Sequence, residues 1–119
     1  MAKHNKLGKD GELIAFMVLQ RDGFTILETN WKFRKAEIDI IATKDKILIS
    51  VEVKTRSTND FGSPQDFVNK KKIKLMVSAM NEYILNKDLD TELRFDIIAI
   101  TKDKSSFDIQ HFKDAFLYF

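Results

Sequence analysis

The sequence predicts an α/β fold, with a mixed central sheet flanked by helices on both sides. Three observations lead there. Segments with helical spacing alternate with segments of period-two spacing, in the order helix, three strands, helix, two strands. The second and third strand segments are joined by a short turn at Lys44-Asp45, which makes them an antiparallel hairpin. The strand after the second helix is reached by a connection long enough for a parallel crossover. A chain of 119 residues fits one domain, residues 1–119, around one core.

The first helix is expected over Leu7–Arg21, where Leu13, Ala15, Phe16, Met17 and Leu19 recur at helical spacing and Gly23 follows as a stop. The stretch "FTILETN", Phe24–Asn30, reads as a strand, and "EIDIIAT" and "KILISVEVK" form the hairpin. In "GSPQDF", Ser63 can cap a helix, Pro64 suits its first position, and Asp66 lies three residues after Ser63. The helix that follows is the clearest in the chain, with Ile73, Met76, Val77, Met80, Tyr83 and Ile84 on one stripe, and it should fade near Asn86. "LRFDIIAIT", Leu93–Thr101, is a fourth strand, and "FDIQHF", Phe107–Phe112, is a fifth before the apolar tail "AFLYF".

Composition narrows the class. Hydrophobic residues make up 44% and charged residues 32%, ordinary values for a soluble globular protein. Ten Phe against one Pro and four Gly exclude a low-complexity or disordered chain. No apolar run approaches the ~20 residues that span a bilayer, and "MAKHNKLGKDGE" is too polar for a secretory signal. The absence of Cys excludes a disulfide framework, a thiolate metal site and a Cys nucleophile. Together these features read as cytoplasmic. There is no Gly-rich phosphate loop and no nucleophilic triad, and His4 and His111 show no ligand spacing.

The net charge of +2 does not by itself specify a nucleic-acid partner. Its distribution says more. Lys32, Arg34 and Lys35 follow Trp31, and Lys70, Lys71, Lys72 and Lys74 form a second cluster. A solvated helix face is the plain reading of such a Lys run. However, cations in the first turns of a helix oppose its dipole, which points to an anionic partner.

The hairpin carries the candidate site. A turn at Lys44-Asp45 would set Thr43 opposite Lys46, Ile41 opposite Leu48, Asp39 opposite Ser50 and Glu37 opposite Glu52. One face then holds Ile38, Ile40, Ala42, Ile47, Ile49, Val51 and Val53. The other holds Glu37, Asp39, Ile41, Leu48, Ser50, Glu52 and Lys54. A wet strand face accounts for Glu and Lys. It does not account for Ile41 and Leu48 on the same face, or for like charges gathered at one end. Two unit charges ~5 Å apart repel by about 3 kcal/mol at an effective dielectric near 20. Lys54 relieves part of that, and a divalent cation would relieve more.

Asp39 followed by Glu52-Val53-Lys54 resembles the bipartite D…(D/E)xK signature of the PD-(D/E)xK nucleases. That superfamily includes many restriction enzymes and the archaeal Holliday-junction resolvases. Over nearly its whole length the chain resembles the YraN-type family of small bacterial proteins. The matching motifs are "GKDGELIA", "NW…EIDIIA", "VEVKTR", "RFDIIAI" and "IQHFKDAF". Ala36 stands where that family often has Gly, at the turn before the strand and outside the acidic set.

The resemblance implies a restriction-endonuclease-like fold and a metal-dependent endonuclease that hydrolyses phosphodiester bonds of DNA, branched junctions included. Asp39 and Glu52, with the Val53 carbonyl, would hold Mg²⁺ or Mn²⁺. Lys54 would orient the attacking water or meet the phosphate charge. Glu12 matches a further acid carried by the first helix, and its other reading is a simple partner of the helix dipole. Glu37 would support the site from outside the ligands or pair with a nearby Lys. Lys32, Arg34, Lys35, Arg56, Lys70, Lys71, Lys72 and Lys74 would meet the nucleic-acid backbone. Trp31 and Phe33 would stack on a base, or Trp31 would join the core. The alternative is a nucleic-acid-binding module with this fold that does not cleave on its own. A third reading, a structural protein, treats the Lys clusters as solvation. The tail Phe116–Phe119 hints at a homodimer or packs on its own core.

Overall fold

A computed structural model of the chain describes residues 6–57 and 68–115. Its elements are α1 (Lys6–Arg21), β1 (Thr25–Phe33), β2 (Ala36–Lys44), β3 (Ile47–Arg56), α2 (Lys70–Lys87), β4 (Glu92–Asp103) and β5 (Ser106–Phe112). The order is the expected one. The strands form one sheet in the order β1-β2-β3-β4-β5. β3 and β4, joined through α2, are parallel, and the other neighbouring pairs are antiparallel. This is the mixed α/β sheet that the pattern predicted. Among the described residues, no helix is long and apolar enough to cross a membrane.

Each helix covers its own face of the sheet. Ala15 and Leu19 of α1 pack with Phe24, Ile40, Ala42, Ile49, Val51, Ile98 and Ile100. Met76, Ala79, Met80 and Tyr83 of α2 pack with Ile38, Ile41, Leu48, Phe95, Ile97 and Ala99. Burying a Leu, Ile or Met side chain contributes roughly 1.5–3 kcal/mol, so these two layers supply most of the drive to fold. α1 lies close against β3 because residue 11 is glycine. A Cβ there would stand 2.0 Å from Thr55 Oγ1. Gly23, at φ +92°, turns the chain out of α1 as expected.

Several boundaries and pairings differ from expectation, each for a physical reason. The β2–β3 turn sits at Asp45-Lys46, with φ of 54° and 67°, not at Lys44-Asp45. Two successive left-handed residues give a tight turn that suits the twist of a hairpin. The partners therefore shift by two: Thr43 faces Leu48 and Ile41 faces Ser50. β1 runs on through Trp31, Lys32 and Phe33, past the end expected at Asn30. The N-cap of α2 is Asn69, whose side chain accepts the Lys72 N–H at 2.8 Å. Ser63, Pro64 and Asp66 lie outside the described residues, as does the tail Phe116–Phe119.

The largest correction concerns Ile38. It was expected beside Ile40, but it packs on the α2 side while Ile40 packs on the α1 side. Asn30 explains the slip. It adopts φ +50° between Thr29, which pairs Ile40, and Trp31, which pairs Ile38. Asn tolerates the left-handed region. The β1–β2 ribbon twists there, and beyond that level its faces exchange. Asp39 is the β2 residue at the twist.

Candidate functional site

The site begins with a split in the sheet. Pairing between β2 and β3 ends at Ile40–Val51. Beyond it, the Val53 N–H has no β2 carbonyl to meet, and it donates to the Asp39 carboxylate at 2.8 Å. The side chain thus replaces a missing rung of the ladder. The N–H and C=O of one strand residue point to the same edge, so the Val53 carbonyl is aimed into the same split.

Asp39 is held there at an electrostatic cost. Burial pushes its carboxyl up to about 7, and the Glu52 charge adds to the effect. The Val53 N–H pulls the other way, Glu12 raises it further and Lys72 lowers it. So three acids from three elements, Glu12 of α1, Asp39 of β2 and Glu52 of β3, share one field. Glu52 is buried, with its side chain 5% exposed, and its partner is the Lys72 ammonium at 2.5 Å. Lys72 reaches it from the first turn of α2. Alternation along β3 puts Lys54 on the Glu52 face, two residues on.

A cleft of about 300 Å³ opens over Asp39, lined by Lys35, Ala36, Glu37, Lys72, Leu75 and Met76. Glu37 is exposed and stands opposite Lys32 of β1, not opposite Glu52 as expected. Of the basic residues singled out from sequence, Lys35 and Lys72 come to this cleft. Lys74 lines a separate groove on α2 with Ile73, Val77 and Leu85. Lys32, Lys70, Lys71 and Arg56 are on the surface. Arg34 lies over the Phe33 ring at 5.2 Å. Trp31 stacks on Phe33 and meets Tyr83 of α2 edge-on, so its ring belongs to the α2 layer more than to an open stacking platform.

The carboxylate pair can be tested against a divalent ion on its own chemistry. Among the described residues, no three His, Asp or Glu side chains are grouped closely enough to form an all-protein cage. Mg²⁺ does not need one, since it keeps several waters and takes one or two carboxylates plus substrate phosphate. A half-buried carboxyl raised by desolvation and by two acidic neighbours, with a backbone carbonyl aimed at the same gap, fits a hard cation. Lys72 already places one positive charge against Glu52.

A model of the uncharacterised protein family UPF0102 matches residues 11–100. The chain belongs to UPF0102. A UPF0102 protein of Flavobacterium psychrophilum is 61% identical over 119 residues, covering all of both chains. One from Christiangramia forsetii is 53% identical, again over all of both chains. Among solved structures, the fold is similar to a Holliday junction resolvase from Archaeoglobus fulgidus. The TM-score is 0.52 at 14% identity, over 90% of this chain and 77% of that one. At that identity the likeness concerns the fold, which is the mixed, helix-flanked sheet expected from the motifs.

A second buried acid in this UPF0102 chain was not singled out from sequence. Asp96 of β4 accepts two hydrogen bonds from Arg94 at 2.9 Å, meets His111 Nε2 at 2.8 Å and accepts the Asp114 N–H at 3.0 Å. Burial pushes its carboxyl up, but the bonds from His111, Arg94 and Asp114 outweigh that and hold it below its ordinary range. Arg94 and Asp96 stand two apart on one strand face, which was a readable signal. His111 lies across the β4–β5 pairing and gave none.

Proposed function

We propose that this chain is a metal-dependent endonuclease of the PD-(D/E)xK type, acting on DNA and on branched, Holliday-junction-like DNA in particular. The observation that carries the reading is the Asp39 carboxyl at the split beside Val53, raised to about 7 by burial and by Glu52. A group that loses its charge near neutrality without a cation is suited to take one. Asp39, Glu52 and the Val53 carbonyl would hold Mg²⁺ or Mn²⁺, which when bound would acidify a water and polarise the scissile phosphate. Lys54 orients that water or offsets the phosphate charge. Lys35 and Lys72 at the cleft draw the backbone in, and the exposed Lys32, Arg34, Arg56, Lys70, Lys71 and Lys74 would meet it further along the surface. Glu12 supports the cation from α1. A homodimer and a cytoplasmic location are consistent with this reading. The fold likeness to the Holliday junction resolvase of Archaeoglobus fulgidus supports the substrate class.

One observation favours a second reading, a binding module that does not cut alone. The Lys72 ammonium already neutralises Glu52. The deciding experiment is cleavage of labelled four-way junction, flap, single strand and duplex with Mg²⁺ or Mn²⁺, beside Glu52→Gln. The nuclease reading expects junction cleavage that the substitution removes. Binding without cleavage by either protein would replace it with the module.

A further inference from the structure

The Lys72–Glu52 pair is costly as a mere brace. Glu52 is almost fully buried, and a buried ion pair is weak evidence of stability because both charges must leave water. Lys72 also sits in the first turn of α2, where a cation opposes the helix dipole. Its backbone cannot drift, since its N–H is held by the Asn69 cap at 2.8 Å. Its side chain is different: it is 40% exposed and lines the cleft over Asp39. The lysine therefore has a fixed root, a buried partner and an open path away from it.

We propose that Lys72 is an exchangeable internal counter-ion. It holds Glu52 while no divalent cation is present, leaves when one binds, and the released ammonium turns into the cleft to meet a phosphate. This rests on the assignment of Glu52 to the cation site. The ammonium and a cation would compete for the Glu52 charge, since Nζ stands 2.5 Å from Oε2 and two positive charges on one carboxylate repel. Exchange links the two halves of the task. Cation binding frees a positive group on the surface that meets the backbone, so each ligand favours the other. Lys72 is a substrate-binding residue on this account, and Lys54 is left for the reacting atoms.

The test is the reactivity of single lysines towards an amine-directed reagent, read by mass spectrometry, with metal binding followed in parallel by calorimetry. Lys71, its exposed neighbour on α2, is the internal control. Without metal, Lys72 should react several-fold more slowly than Lys71. Saturating Mg²⁺ should raise its rate by about fivefold and leave Lys71 unchanged. In Glu52→Gln, Lys72 should react fast with or without metal. Lys72→Met should bind Mg²⁺ about tenfold more tightly, because a competitor and a repelling charge are both removed. Metal binding with no change at Lys72 overturns the exchange and leaves the site assignment standing. No metal binding by the wild type or by Lys72→Met overturns both.

Discussion

Two aspartates, half-buried Asp39 and fully buried Asp96, occupy one small sheet under opposite electrostatic conditions. Asp96 is surrounded by donors: a bidentate Arg94, His111 and the Asp114 N–H. Asp39 has one backbone donor, from Val53, and two acidic neighbours. The first carboxyl is held below its ordinary range and the second is pushed up to about 7. The difference separates an acid that supports the fold from one that burdens it. A charge fully satisfied by the chain has little left to offer a ligand. A charge left short by the chain is open to a ligand from outside.

The comparison can be broken most forcefully at Asp96. Asp96→Ala strands Arg94 and loosens the turn at Asp114, and it should cost about 3–5 kcal/mol in chemical denaturation. A loss under about 1 kcal/mol would make the network ornamental. The sign with pH follows from the lowered carboxyl. Its stabilisation is complete above the ordinary Asp range and fades as pH falls through the lowered value, so the penalty should shrink only in acid.

Gly11→Ala attacks the other side by forcing α1 off β3 at Thr55. It should cost about 1–3 kcal/mol and weaken divalent-ion binding by displacing Glu12. Full stability with full ion affinity would remove Glu12 from the account.

Asp39→Asn should do the reverse of Asp96→Ala. The amide oxygen can still accept the Val53 N–H, and the unfavourable charge is gone. A carboxyl raised in the folded state binds more protons there than when unfolded, so the wild type loses stability as pH rises from about 4 to about 7. The variant escapes that loss. Without metal it should be about 1–2 kcal/mol more stable at pH 8 and no different near pH 4. Equal destabilisation at both pH values would contradict the shift.

The smallest effect on folding belongs to Lys70 and Lys71. Replacing both by Ala should move stability by no more than about 0.5 kcal/mol. If both meet phosphates, the slope of log K against log salt for DNA binding should flatten by about 1.8. An unaltered slope would return them to simple solvation.

The sequence made one of the two aspartates legible. Alternation in the hairpin separated Asp39 and Glu52 from most of the α1-side core, because a one-residue error in the turn shifts the cross-strand partners by two and leaves face membership unchanged. It misplaced Ile38, because a single left-handed residue in another strand, Asn30, exchanges the faces of both. Lys72 was visible as a cation set against its helix dipole, but its partner lies 20 residues back on β3. The Asp96 network depends on His111 across a strand pair, and local spacing does not encode that partner. Pattern reads faces well. It does not read which side chains cross between elements.

The most direct test of the central claim is Mn²⁺ binding followed by electron paramagnetic resonance in the wild type, Asp39→Asn, Glu52→Gln and Asp96→Asn, the last under conditions where it remains folded. One tight ion in the wild type and in Asp96→Asn, lost in both Asp39→Asn and Glu52→Gln, is the predicted result. Unchanged Mn²⁺ affinity in Asp39→Asn and Glu52→Gln would contradict it and move the ion, if there is one, away from the split in the sheet.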